Sequence, residues 1–214
     1  MTSPSDIILV LVILINLLLL GTGRLRSCIR AVAVQGAAIG LLPLLVSSAG
    51  FSPRLTLVAV VSVALKGFVF PWLLFRSMRS ANVRHEVDPV IGYTASILAG
   101  VVLTGASFWM ASRLQLPIVP VSDLVLPVAL STILCGLLLI VSRRQALSQV
   151  VGYLVLENGI YIFGTALAHE EPLLVEMGIL LDVFVAVLVM GVAVFHISRE
   201  FDHIDVDHLA RLKD

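Results

Sequence analysis

The sequence predicts an all-α integral membrane protein of about seven transmembrane helices, with its N-terminus outside and its C-terminus inside. Three observations carry that prediction. Of the 214 residues, 59% are hydrophobic and only 13% charged, with a mean hydropathy of +1.07, whereas soluble domains carry about 25% charged residues. Apolar runs long enough to cross a ~30 Å hydrocarbon core recur along the whole chain. Basic residues cluster on alternate connections between those runs.

Hydrophobic stretches beyond about 17 residues mark spanning helices. Here they fall near 5–22, 30–49, 55–77, 89–111, 123–142, 145–168 and 172–197. The first, IILVLVILINLLLL, follows MTSPSD, which has no basic residue, and precedes Arg24, Arg26 and Arg30. That order fits a retained first helix better than a cleaved signal segment. The second run carries Gln35 and the first Asn16, single polar residues that suit hydrogen bonding between helices. The third contains Lys66 followed by Pro71; proline has no N–H, so the Gly67 carbonyl loses its helical partner beside the lysine. Such breaks are tolerated at membrane depth where they line protein or water. Ser62, one turn before Lys66, adds a hydroxyl. Helix six places Tyr153, Glu157 and Tyr161 on one face at i, i+4 and i+8, with Asn158 beside them. Gly152 and Gly159 permit close approach of a neighbour. Helix seven carries Asp182 at mid-depth and Glu176 nearer the outside. Loops are short, as in a bundle of antiparallel neighbours.

The cations set the orientation. Arg24, Arg26, Arg30, Arg76, Arg79, Arg84, Arg143, Arg144, Arg199, Arg211 and Lys213 fall on one side, and only Arg54 and Arg113 on the other. This positive-inside bias gives an outer N-terminus and a cytoplasmic C-terminus. Trp72 and Phe75 lie near the inner interface, Phe108 and Trp109 near the outer one.

Residues 1–197 form one helix bundle and 198–214 a cytoplasmic tail. RLRSCIRAVAVQGAAIG and SRRQALSQVVGYLVLENG share an order of features: an arginine turn, a small-residue stretch, then a mid-helix polar position. A shift of 116 residues superposes Lys66 on Asp182, while the arginine turns align better at 117. Three-helix repeats over 5–77 and 123–197, separated by one crossing, would have the same orientation. In the tail, His203, Asp205, Asp207 and His208 can be drawn as a metal site, but a solvated segment docking through Ile204, Leu209 and Leu212 fits better. Zero net charge argues against a nucleic-acid partner. Cys28 and Cys135 read as small apolar fillers, and no cofactor or metal is expected.

Lys66, Glu157 and Asp182 each lie roughly 14–17 Å from the apolar edge of their runs, about half of the hydrocarbon thickness. A central Lys or Asp costs roughly 2.5–3.5 kcal/mol on insertion scales. Two acids and a base at one depth suggest a buried polar track whose first candidate cargo is a proton. Burial disfavours an ionised carboxyl and a nearby cation favours it, so a carboxyl held between the two influences can load and unload. The alternatives remain a Glu157 that stays protonated and a Lys66 that pairs purely for assembly. Glu176, with Glu170 and Glu171 around Pro172, suits a helix start or an entrance. His196 suits snorkelling at the inner end.

GYLVLENGIYIFG, EPLLVEMGILLDVFVAVLVMGV and the HIDVDHLARLKD tail resemble component E of hydrogenase 4, the membrane subunit of formate-hydrogenlyase-type group 4 [NiFe] hydrogenases. The likeness runs the length of the chain, including the lysine–proline pair of helix three and the SRR turn. That family is similar to the K subunit of respiratory complex I and to a small subunit of multisubunit cation/proton antiporters. The resemblance implies a multi-pass subunit of a bacterial or archaeal cytoplasmic membrane. Its implied partners are large antiporter-like subunits, with redox chemistry in separate peripheral subunits. It also implies functional carboxylates at Glu157 and Asp182.

The leading function is therefore a coupling subunit for proton or Na⁺ translocation driven by electron transfer. Its pathway residues would be Lys66, Glu157, Asp182, Tyr153, Tyr161, Asn158 and Glu176. A self-contained small transporter or channel, and an assembly subunit without conduction, are the alternatives. Stand-alone catalysis is not expected, since no nucleophile–base set or nucleotide loop is present.

Overall fold

A computed structural model describes residues 3–46, 53–80, 90–114, 122–167 and 191. Every element among them is helical: α1 (Pro4–Gly21), α2 (Leu25–Gly40), the short α3 (Leu42–Val46), α4 (Pro53–Ala64), a π-helical turn (Leu65–Val69), α5 (Phe70–Ser80), α6 (Tyr93–Arg113), α7 (Val125–Ser142) and α8 (Ala146–Leu167). Within the described residues, six helical stretches are long and apolar enough to cross a membrane. All of the seventh expected span, 172–197, except Gly191 lies outside the described residues, as do the tail, Arg84, Glu176, Asp182 and His196.

Local chemistry accounts for the ends. Helix α1 opens on a capping box in which the Ser3 hydroxyl accepts from the Asp6 N–H and the Asp6 carboxylate accepts from the Ser3 N–H, with Pro4 in the first turn. Helix α2 begins at Leu25, five residues before the expected 30. The early start puts Arg26 and Arg30 on the helix, and long cationic stems can run along an apolar surface while their heads stay wet. The third run is one helical column in three pieces. Its π turn sits directly ahead of Pro71, and the Phe70 N–H reaches back five residues to the Leu65 carbonyl. The widened turn and the missing proline N–H belong together: both loosen the ordinary i→i−4 ladder at Lys66.

Helices α1 and α7 run parallel. Their contacts keep one register along the bundle: the Ser122 hydroxyl donates to Asp6 at 2.6 Å, Asn16 to Thr132 at 2.9 Å, and Arg143 to the Leu20 carbonyl at 2.8 Å. Helix α8 packs back along α7 at very short range. A Cβ at Gly136 would stand 2.5 Å from the Leu156 nitrogen, and one at Gly159 2.7 Å from the Ile133 nitrogen. Small residues let helix backbones approach in this way, so that dispersion contacts replace the hydrophobic driving force that lipid does not supply. Trp72 and Trp109 are exposed towards opposite ends, each with an arginine over its ring, Arg76 at 5.6 Å and Arg113 at 5.9 Å from the centroid. This is the interfacial arrangement expected of such pairs.

The buried apolar side chains divide into two clusters. One, towards the Asp6 end, contains Leu9, Val12, Ile39, Val128, Tyr161 and Ile162. The other, towards the arginine-rich end, contains Leu19, Ile29, Val32, Phe70, Cys135 and Leu154. The switch from one cluster to the other brackets a buried polar position on three columns, Gln35 on α2, Thr132 on α7, and Glu157 and Asn158 on α8, and falls just before Asn16 on α1. Lys66 lies one turn before Phe70 on the split column. The bundle is thus apolar, polar, apolar along its length.

Candidate functional site

The polar layer centres on Lys66. The π turn and α8 each supply part of the site, with α2 between them. Lys66 is 3% exposed and Glu157 1%. The Lys66 Nζ donates to Glu157 Oε1 at 2.5 Å and to Asn158 Oδ1 at 3.3 Å, and stands 4.4 Å from the centroid of the Tyr161 ring. An ammonium at membrane depth is therefore held by a carboxylate, an amide oxygen and a π face together. Each attraction is strengthened where water is excluded, and that compensation is what makes a buried charge tenable.

A backbone detail opens the route between the two elements. A Cβ at Gly36 would stand 2.7 Å from Lys66 Cβ and 3.6 Å from its Cα, and one at Gly40 2.8 Å from Val63. Helix α2 can lie flat against the lysine column only because these positions are glycine. A small cavity beside the pair, on its arginine-end side, is lined by Lys66, Glu157, Asn158, Phe70, Pro71 and Leu154.

A second polar string crosses the same layer. Gln35 Nε2 donates to Asn16 Oδ1 at 2.8 Å, Asn16 Nδ2 to Thr132 Oγ1 at 2.9 Å, and the Thr132 hydroxyl to the Val128 carbonyl at 2.7 Å. Next to Thr132, the Ser131 hydroxyl pairs with Thr104 of α6 at 2.9 Å. The interhelical role expected of Asn16 and Gln35 is what these contacts perform. The sequence reasoning missed Thr132, Ser131 and Thr104, because a hydroxyl that bonds its own i−4 carbonyl, as Thr132 and Thr104 do, sits in an apolar helix without disturbing its pattern.

Of the expected pathway residues, Lys66, Glu157, Asn158 and Tyr161 come together. Tyr153 is half-buried against the arginine-end apolar cluster, a turn away. Ser62 is fully buried, and its hydroxyl has no hydrogen-bond partner among the described residues. Asp182 and Glu176 lie outside the described residues. Cys28 and Cys135 are buried thiols in the apolar core. Arg143, read from sequence as a loop cation, is instead 3% exposed, donating to the α1 C-terminus with Tyr93 5.0 Å beneath it. Burial holds its guanidinium below the usual arginine range, opposed by the nearby Tyr93 and Cys28 groups.

Fold and site define a multi-pass membrane protein with a paired charge in its polar mid-layer. The NADH-ubiquinone/plastoquinone oxidoreductase chain 4L family matches residues 124–214. The uncharacterized protein Rv0085 of Mycobacterium tuberculosis is 34% identical over 205 residues, 94% of this chain and 92% of that protein. Hydrogenase-4 component E of Escherichia coli is 37% identical over 118 residues, 55% of this chain and 54% of that protein. Component E of Shigella flexneri matches to the same extent, so the chain aligns with about half the length of these component E relatives. No solved structure matches. The chain therefore belongs to one family with Rv0085, and over about half its length it is similar to hydrogenase-4 component E, with its C-terminal part similar to chain 4L of NADH–quinone oxidoreductase.

Proposed function

We propose that this chain is a membrane-arm subunit of a complex I-like redox complex, and that its polar layer takes part in proton or Na⁺ translocation coupled to electron transfer. The observation that carries this reading is the Lys66–Glu157 pair, buried at mid-bundle and held by Asn158 and Tyr161. A carboxylate beside a mobile ammonium in a dry site changes protonation whenever the ammonium is displaced. Redox events in a partner can therefore be felt as a proton taken up or released. Asp182, Glu176 and Tyr153 belong to the same pathway in this reading, from their sequence positions. The partners are large antiporter-like membrane subunits and, through them, peripheral redox subunits. The complex sits in a bacterial or archaeal cytoplasmic membrane, with the arginine-rich end of the bundle on the cytoplasmic side.

Internal duplication is part of the proposal. Asp6–Ser122 and Asn16–Thr132 both join residues 116 positions apart, the shift that superposes Lys66 on Asp182. Equivalent positions of two parallel repeats meet one another where a pseudo-two-fold axis runs between them. These contacts support repeats over 5–77 and 123–197, with α1 and α7 as the central pair.

The test is Glu157→Gln in the assembled complex, which preserves size and hydrogen bonding while removing the titratable proton. Protons taken up into proteoliposomes per electron pair, normalised to assembled complex, should fall several-fold. Full assembly with the wild-type ratio would assign Glu157 to structure and defeat the reading.

A further inference from the structure

Gln35 is fully buried, yet only half of its amide is used. Its Nε2 heads a string in which every donor points the same way, through Asn16 and Thr132 to the Val128 carbonyl. Hydrogen bonds aligned head to tail polarise one another. The string therefore has a negative end, and that end is Gln35 Oε1. This oxygen has no hydrogen-bond partner among the described residues, and a buried acceptor left unmade costs its desolvation.

The donor that suits it is close at hand. Gly36, the next residue, lies against the lysine column, where a Cβ would stand 2.7 Å from Lys66 Cβ. Neighbouring Cα atoms are 3.80 Å apart, so the Gln35 Cα lies within roughly 8 Å of Lys66 Cβ. A lysine stem and a glutamine side chain together span that distance.

We propose that Gln35 is a positioning residue that provides a second anchor for the Lys66 ammonium: when Glu157 takes up a proton and its hold weakens, the ammonium swings to Gln35 Oε1. This rests on the coupling function proposed above. It adds that Lys66 moves between two defined acceptors, Glu157 on α8 and Gln35 on α2. The Asn16–Thr132 string fixes the second acceptor in place and increases its negative character.

Two substitutions act in opposite directions. In Gln35→Met the second anchor is gone, so the ammonium stays with Glu157, Asn158 and Tyr161 and favours the ionised form of Glu157. The pH at which proton translocation is half-maximal should then move to lower values. In Gln35→Glu the added carboxylate draws the ammonium away, Glu157 protonates more readily, and the half-maximal pH should move up. The other titratable groups at this level among the described residues are Tyr153 and Tyr161 of α8, Cys28 of α2 and Cys135 of α7. Phenols and thiols titrate above neutrality, outside the range in which the two variants are compared.

The measurement is the pH profile of proton uptake per electron pair by the intact complex in proteoliposomes. Shifts of opposite sign support the proposal. Unchanged midpoints, or shifts of the same sign, overturn it. Should either variant fail to assemble, the structure of the complex carrying Glu157→Gln decides: Lys66 Nζ within hydrogen-bond distance of Gln35 Oε1 supports the second anchor, and Lys66 still on residues 157 and 158 overturns it. Loss of translocation in Glu157→Gln with normal Gln35 variants would sink the second anchor alone. Wild-type translocation in Glu157→Gln would sink the coupling function itself.

Discussion

At Lys66 the cost of a buried charge is met by three neighbours, and removing one partner should be worse than removing both. Lys66→Met leaves Glu157 without its ammonium, a change that in buried pairs costs about 3–5 kcal/mol. The assembled yield of that single variant should drop. The double variant Lys66→Met/Glu157→Gln should recover yield while remaining deficient in translocation. Assembly measured for both variants checks this, and a double variant no better than the single would show that the pair adds nothing to stability. Gly36 makes a second prediction at this scale. Gly36→Val places branched bulk where even a Cβ would stand 2.7 Å from Lys66, and overpacking of this kind costs about 1–3 kcal/mol. Gly105→Ala, where nothing lies within 4 Å, is the matched control and should leave the melting temperature in detergent nearly unchanged.

At the scale of elements, the π turn is the feature to perturb. Pro71→Ala restores an N–H to the column, so the turn can tighten to ordinary α geometry. That change rotates Lys66 by up to about 100° relative to α5. The coupling between positions 66 and 157, measured by a double-mutant cycle in the Pro71→Ala background, should shrink towards zero. A coupling equal to wild type would show that the turn does not set the lysine's direction. This turn also marks where sequence legibility ends. The apolar runs and their order were plain because the bilayer demands a fixed length of apolar chain. The depth of Lys66 and Glu157 followed by counting, and the face shared with Tyr161 followed from helical spacing. The partner of each charge did not follow, because pairing depends on how α2 lies between the two columns. Gly36 gave no signal, being one small residue among many. The hydroxyls of Ser131, Thr132 and Thr104 were hidden for a similar reason, and Arg143 looked like any other loop cation although it is packed between helix ends.

On the molecular scale, topology and repeat remain to be tested together. Arg144→Cys, at an exposed position beside the α7–α8 turn, should react with a membrane-impermeant maleimide only when the cytoplasmic face is accessible. Labelling from the outside of intact cells would overturn the proposed orientation. The relation between α1 and α7 can be probed at the opposite end, where Asp6 and Ser122 touch. The pair Asp6→Cys/Ser122→Cys should form a disulfide under mild oxidation and, joining two fixed central helices, should leave turnover unaltered. Loss of turnover on cross-linking would mean that the two halves slide against each other during the cycle.

The division of the core into two apolar clusters around one polar layer has an electrical meaning. Among the described residues, a charge at mid-depth is closed off by Leu9, Val12 and Ile162 on one side and by Leu19, Leu74 and Leu154 on the other. Such a bundle resembles the dielectric of a capacitor with a conducting sheet embedded in it: current runs within the sheet and not across the plates. The complete complex, its electron transfer idle, should therefore hold a proton gradient as tightly as protein-free vesicles do. Phe70→Ala, which removes bulk next to the cavity beside the Lys66–Glu157 pair, thins the insulation on one side. A vesicle carrying that variant should discharge an imposed pH gradient measurably faster, read with an entrapped pH-sensitive dye. An unaltered decay would place the barrier to protons elsewhere in the membrane arm.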